Sequence, residues 1–512
     1  MATFLLGAPS EYDSAIFTQF PAERQTRWGI YGQDTWRATP KLTLSLGVRW
    51  DYFTPVTPGT KGGLANWDPT TGNILLAGLG QVSKSANIYT PKTDFAPRIG
   101  VAYTLTNKTV LRAGFGTSYF TSGYDATFYH LTSFYPIVSQ LSIQPQTTYS
   151  EVFPLNQAPP SGTPPVIPSS GILPAPNGQL LKTRPFNWLT ETMNSWNFTI
   201  QQQLTRDTTL SVGYVGSNGY HLSWSYNMNS APIGPGPLVN RRPYYAPYGL
   251  TQNINMECNC SNSNYNALQI QVKRSYSRNL AFTSNFVWQK ALGYNSDDPY
   301  DRTVDYGPGG GNIGTQDRAV TFTFGFTGTL PYGQGQRWGS NASTAKRALL
   351  GGWQLNGGLV LYSGGSLTPQ ISSNATLNAD FGQRANRVPG CNYKNVPGGQ
   401  NRNEWYNPAC FSIPAQYTFG DAGVGSLRGP GVANTDLALW KEFDISTFLN
   451  HAKTAIQLRF ESFNVFNRTN LGMPQNATWI NTQVDTNAGP VITSLQPGFP
   501  MRRFQFGAHI SW

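Results

Sequence analysis

The side chains able to do chemistry are few and scattered. The four histidines, His130, His221, His451 and His509, have no carboxylate, thiol or second imidazole at the spacing that a zinc set or an acid–base pair needs. There is no nucleophile elbow, no His-Glu-x-x-His and no phosphate loop; the glycine-rich run Gly307–Gly311 lacks the Lys-Ser/Thr ending that holds phosphate and metal. These residues predict neither an enzyme nor a cofactor. The densest acidic cluster is Asp297, Asp298, Asp301 and Asp305. Clustered carboxylate oxygens suit Ca²⁺, but the spacing is not that of an EF-hand, and the ordinary reading is a solvated acidic loop. Four cysteines, Cys258, Cys260, Cys391 and Cys410, permit three disulfide connectivities. The favoured one joins Cys391 to Cys410 across an ordinary loop and leaves Cys258–Cys260 as a strained local pair; a zinc site drawn from both pairs is the alternative.

The elements that carry these residues are strands. Leu42, Leu44, Leu46, Val48, Trp50 and Tyr52 alternate with Thr43, Ser45, Gly47, Arg49 and Asp51. The same period of two marks Leu111–Tyr119, Leu268–Val272, Ile456–Phe460 and Phe504–Trp512. A period of two gives a strand one apolar and one polar face. Thirteen strands are expected, at 27–36, 42–53, 96–105, 109–120, 194–204, 208–224, 263–275, 280–292, 317–330, 352–362, 434–443, 454–466 and 503–512. Most are about 9–11 residues long, enough to cross a bilayer when tilted. Four connections after odd-numbered strands are tight, and Pro331–Gly351 and Asp444–Lys453 are longer. Every connection after an even-numbered strand is long: 54–95, 121–193, 225–262, 293–316, 363–433 and 467–502. Short turns on one side and long loops on the other are the mark of an outer-membrane barrel, with the long loops extracellular. A β-propeller would repeat every 40–50 residues or so, and no such repeat is present.

Composition agrees. Only 12% of the 512 residues are charged, while 13% are aromatic. No run of about 20 apolar residues forms a membrane helix, and a barrel needs none, because half of each strand faces a polar lumen. The net charge of +11 is spread without a dense Lys/Arg block, so nucleic acid is not an expected partner. Trp36, Trp50, Tyr52, Tyr119, Trp224, Trp288, Trp353, Tyr362, Trp440 and Trp512 cluster near strand ends, where amphipathic rings would mark the membrane interfaces. Arg49, Arg112, Lys273, Arg459 and Glu461 fall on the polar half of their strands; they could form a polar channel wall or contact a plug, and the favoured reading is lumen charges paired with one another. The loops are rich in Pro, Gly, Asn and Ser, consistent with either a flexible surface or a ligand-contacting one.

Several stretches resemble the TonB-dependent outer-membrane receptor superfamily, most closely its Oar-like branch. They are Phe4-Leu-Leu-Gly-Ala-Pro9, Trp28-Gly-Ile-Tyr-Gly-Gln-Asp-Thr-Trp36 with Leu42-Thr-Leu-Ser-Leu-Gly-Val-Arg-Trp50, Phe95-Ala-Pro-Arg-Ile-Gly-Val-Ala-Tyr103, Asn194-Ser-Trp-Asn-Phe198 and Arg459-Phe-Glu-Ser-Phe-Asn-Val-Phe-Asn467. The ending, with Phe504, Phe506, Ala508, Ile510 and Trp512, is similar to the aromatic-terminated signal read by the barrel-assembly machinery. The resemblance implies an antiparallel transmembrane barrel of about 22 strands plugged by an N-terminal domain. It also implies outer-membrane lipid and lipopolysaccharide around the wall, an unidentified extracellular ligand, and energy coupling to the TonB complex. No stretch matches the plug, and Met1–Gly7 lacks the basic start of a signal peptide. The expectation is therefore a C-terminal barrel portion with an extracellular lead-in at 1–26, about nine strands lying upstream. The alternative function is surface binding or adhesion without transport.

Overall fold

The computed structural model describes residues 11–121, 131–143, 152–154, 156–294, 306–307, 318–333, 336–371, 383–445, 454–474 and 490–511. The sheet that organises it has thirteen strands on one path: β1 (Arg27–Thr39), β2 (Leu42–Phe53), β3 (Asp94–Thr106), β4 (Thr109–Phe120), β5 (Glu191–Gln203), β6 (Thr208–Asn227), β7 (Ile254–Ser277), β8 (Leu280–Tyr294), β9 (Val320–Thr329), β10 (Gln354–Tyr362), β11 (Val432–Asp444), β12 (Ala455–Phe463) and β13 (Arg503–Ser511). Each pairs antiparallel with the next in sequence. Consecutive antiparallel strands need only a turn between them. At Ser277–Leu280 the turn residues Arg278 and Asn279 both have positive φ, +49° and +66°, the primed geometry that matches strand twist.

Register carries the two faces around the whole sheet. Leu46 pairs with Ile99, Ile99 with Phe115, and Phe115 with Trp196. Farther along, Phe322 pairs with Leu361, Leu361 with Ala433, Leu439 with Phe460, and Phe460 with Phe506. This is the apolar face. The opposite face carries Arg49, Arg112, Gln269, Asn285, Thr323, Asp436, Glu461 and Gln505. No helix among the described residues is long and apolar enough to cross a membrane; strands with this alternation cross instead.

Strand boundaries depart from expectation mainly at one hairpin. β6 has 20 residues and β7 has 24, so the expected loop 225–262 shrinks and residues 254–262 become strand. The hairpin runs past the wall through register shifts between Gly219 and Trp224. A bulge there bends the strand and re-aims it, and His221 at its centre has φ +55°. Elsewhere the ends move by a few residues, as at 454–466, where pairing stops at Phe463. The connection between β9 and β10 carries a short helix, Thr344–Leu350. Three expected interface aromatics lie elsewhere: Trp224 pairs with Cys258 in the extension past the wall, and Tyr362 and Trp440 take the polar-face register, opposite Thr321 and Gln354.

Apolar burial is concentrated outside the wall. The long connections leave the same side of the sheet, and the described parts of those at 54–93, 121–190, 228–253 and 363–431 fold into two lobes. In the first, Leu64, Ala65, Trp67, Ile74, Leu76, Leu131, Phe134, Ile137, Leu181, Trp188, Leu250 and Ile254 form one core. The second has a smaller core of Leu367, Ile371, Ala385, Tyr406, Cys410, Phe411, Ala422 and Leu427. The lead-in is tied to the first lobe, Tyr12–Phe17 pairing with Val138–Ile143 and Glu23–Arg24 with Thr57–Pro58.

Candidate functional site

Trp67 is the centre of the first lobe. It is fully buried, its indole N–H donates to the Gly72 carbonyl at 3.1 Å, and Tyr244 meets its ring edge-on at 4.9 Å. A buried indole needs such an acceptor. Around it, Ala65–Trp67, Asn73–Leu76 and Ile172–Pro174 make a three-stranded sheet. The sheet brings together stretches separated by a hundred residues of sequence. Gly80, at φ +52°, sits where an added Cβ would overlap the Ser170 carbonyl, so the chains approach there as only glycine allows.

The lobe is fastened to the β6–β7 hairpin by a short strand and a buried polar network. Leu181–Thr183 pairs in parallel with Ile254–Met256 of β7. Asn66 and Arg184 exchange hydrogen bonds, side-chain amide to carbonyl at 3.1 Å and backbone N–H to Asn66 Oδ1 at 2.8 Å. The Arg184 guanidinium is buried, donates through Nε to Glu257 at 2.6 Å and lies 4.9 Å from the Trp188 ring centre. The Ser223 hydroxyl donates to Glu257 at 3.1 Å, and the Ser223 backbone N–H donates to Glu191 at 3.1 Å. Lys182, also buried, donates to the Ser133 hydroxyl at 2.8 Å. Desolvation lowers its pKa to about 8, opposed by the Glu257 charge. Buried charges survive where partners replace water, so this network fixes the lobe in one place on the hairpin.

The second lobe is held differently. Cys391 and Cys410 are joined, Cα to Cα 5.2 Å, closing a loop of 19 residues' separation. Cys258 and Cys260 are joined within the β7 extension. The Trp405 indole donates to the Arg428 carbonyl at 2.8 Å. Burial pushes the Tyr406 hydroxyl well above its ordinary range. A Cβ at Gly364 would overlap the Gly429 carbonyl, another approach that excludes any larger residue. The chain at 490–492 joins this lobe through Trp405 N–H to Pro490 O, 2.9 Å, and Ile492 N–H to Arg402 O, 2.7 Å.

The polar face below carries the expected wall charges. Arg49 donates to Asp51 at 2.8 Å and lies over Gly29 of β1. Arg459 and Glu461 are 3.6 Å apart beside a cavity of about 440 Å³ that Gln457, Gln505 and His509 also line. Arg112 and Lys273 share this face without an ion pair among the described residues. Asp297, Asp298, Asp301 and Asp305 lie outside the described residues, as do His130, His451 and Trp512. No metal-ligand group of three occurs among the described residues. Phe504, Phe506, Ala508 and Ile510 sit together on the apolar face of β13.

The alternating wall and its one-sided loops agree with a family model described as an outer membrane beta barrel domain, which matches residues 1–505. The chain belongs to that family. It is a protein of the bacterial outer membrane, in a family of barrels rather than enzymes. No curated protein sequence matches it. Among solved structures, the outer membrane transporter YddB from Escherichia coli is similar at 11% identity and a TM-score of 0.42, over 94% of this chain and 45% of that one. The siderophore receptor PiuA from Acinetobacter baumannii is similar at 10% and 0.40, over 96% and 44%. The FrpB iron transporter from Neisseria meningitidis is similar at 8% and 0.41, over 96% and 46%. The chain spans less than half the length of each of these structures.

The wall of this barrel was legible from alternation. The network of Lys182, Arg184, Glu191 and Glu257 was missed, because its members sit in stretches without periodicity. One signal was present: three ionisable residues between Lys182 and Glu191, at the end of a proline-rich segment, in a chain otherwise poor in charge.

Proposed function

We propose that this chain is the barrel portion of a TonB-dependent outer-membrane receptor that captures a large extracellular ligand on its two folded lobes. The observation that carries this reading is the pair of lobes: among the described residues, four of the long connections on one side contribute to packed cores instead of loose coil. Binding surfaces on loops need such a rigid support. The polar face, with its paired Arg49–Asp51 and Arg459–Glu461, suits a lumen wall against which a plug would sit. Among the described residues β1 pairs only with β2, and β13 only with β12, and both strands are exposed along nearly their whole length. Unpaired edges of this kind call for further strands, which supports placing about nine more in the whole receptor of about 22. The apolar residues of β13 are the ones that the assembly machinery would read.

The test is uptake and surface binding by cells carrying the full-length protein, with TonB present or deleted. Transport predicts surface binding in both strains and internal accumulation only with TonB. Binding without TonB-dependent accumulation for any offered siderophore, glycan or peptide would instead favour a surface-binding protein. Excising 366–428, the segment that carries the second lobe's described core, is expected to reduce ligand capture while leaving the barrel folded.

A further inference from the structure

The connection between β9 and β10 is on the tight-turn side of the barrel, yet it does not lie under the lumen. Its helix, α1 (Thr344–Leu350), is fixed against the outside of the wall. Lys441 of β11 belongs to the apolar face, two residues from Leu439, and its ammonium donates to the Ala348 carbonyl near the end of α1. The Trp353 indole donates to the Leu349 carbonyl at 2.8 Å. The Lys441 ammonium also stands 4.7 Å from the Phe443 ring centre. A cation at the helix C-terminus is favourably placed, and here it is the wall that supplies it.

What α1 presents outward is both apolar and cationic. Leu349 is 63% exposed, Leu350 47% and Trp338 57%. Lys346 is exposed, Arg347 is partly so, and neither has an ion-pair partner among the described residues. Arg337 lies over Trp338. Residues 331–353 contain no Asp or Glu. Beside Trp353, a groove of about 390 Å³ runs along the apolar face between Leu458, Phe460, Phe506 and Ala508. A cationic helix joined to an apolar groove through the Trp353–Leu349 hydrogen bond is an arrangement suited to a phosphate headgroup with its acyl chain.

We infer that α1 and the Trp353 groove form a binding site for an anionic glycerophospholipid of the periplasmic leaflet. Lys346 and Arg347 hold the phosphate, and the groove takes the start of one acyl chain. The tight-turn side faces the periplasm, so the lipid comes from that leaflet; lipopolysaccharide, on the loop side, is the competing source.

The full-length protein, delipidated in detergent, would be titrated with phosphatidylglycerol, phosphatidylcholine of the same acyl chains, and lipid A, and bound lipid counted by native mass spectrometry. Phosphatidylglycerol is expected to bind preferentially. Each cation near an anionic headgroup is worth about fivefold, so K346A/R347A should weaken phosphatidylglycerol about 25-fold and leave phosphatidylcholine unchanged. Ala508→Phe, which fills the groove, should weaken both. Equal binding of the two phospholipids, indifference to K346A/R347A, or preference for lipid A would overturn the inference. Because Lys346 is exposed and Ala508 is not part of the helix, the two variants fail independently if either misfolds.

Discussion

The two lobes solve one problem by different means. Among the described residues, the first gathers eighteen buried apolar residues from three connections and has a tryptophan at its centre. The second has eight among the described residues, drawn from one connection, and a disulfide between Cys391 and Cys410 across them. A small core cannot by itself repay the entropy of ordering its chain, and a crosslink lowers that entropy in the unfolded state. The first lobe's neighbouring disulfide, Cys258–Cys260, spans two residues and constrains almost nothing. One lobe is therefore held by packing and the other by a covalent closure.

The largest effect expected from breaking this comparison is in the packed lobe. Trp67→Ala should cost about 3–5 kcal/mol, read as protease cleavage within 54–93 and 172–190 while the barrel persists. Next is reduction of the second lobe. Cys391→Ser with Cys410→Ser, or a reductant, should cost about 3 kcal/mol for a loop of that length. Proteolysis should then open 383–428 and spare the first lobe; a first lobe that opened equally under reductant would end the distinction. Titration of free thiols in the denatured, unreduced protein should find none, and two or more alkylated cysteines would remove its basis.

A third effect sharpens how the packed lobe is fastened. Lys182 has its pKa lowered from 10.5 to about 8. Below about 8 the folded state carries the full penalty of a buried ammonium, and between about 8 and 10.5 the unfolded chain holds a proton that the folded one has released. Stability of the first lobe should therefore rise with pH across that window, by a few kcal/mol. Lys182→Met should flatten the rise; a wild-type lobe whose melting temperature fell from pH 8 to pH 10 would contradict the burial argument. The smallest effect belongs to the wall, where Glu461→Gln, at the partly exposed pair with Arg459, should change barrel stability by about 0–1 kcal/mol, measured by urea unfolding in vesicles.

The contrast between wall and lobes also divides what could be read from what could not. A strand between lipid and lumen must alternate, so Leu42–Tyr52 and Phe504–Ile510 announced their elements and faces. The polar-face positions of Arg49, Arg112, Lys273, Arg459 and Glu461 followed from the same rule. The lobes obey no period. Leu64, Phe134, Leu181 and Leu250 meet in one core from four separate stretches, and no local pattern records that they do. The β7 extension was missed for a related reason: Met256-Glu-Cys-Asn-Cys-Ser261 stands above the membrane with its Glu buried in an ion pair, so neither face needs to be apolar. Trp440 misled because an aromatic near a strand end says nothing of which face it takes until register is known.

The parallel strand at Leu181–Thr183 has a mechanical consequence. Its three residues lie along β7 beside Ile254–Met256, so a pull on the first lobe directed along the hairpin loads those hydrogen bonds together, in shear, while a sideways pull would peel them one at a time. The buried Arg184–Glu257 contact comes directly after this strand and resists the same sliding. Tension arriving at the outer surface is thus delivered to the hairpin as a whole and passed down β7 to the turn at its other end.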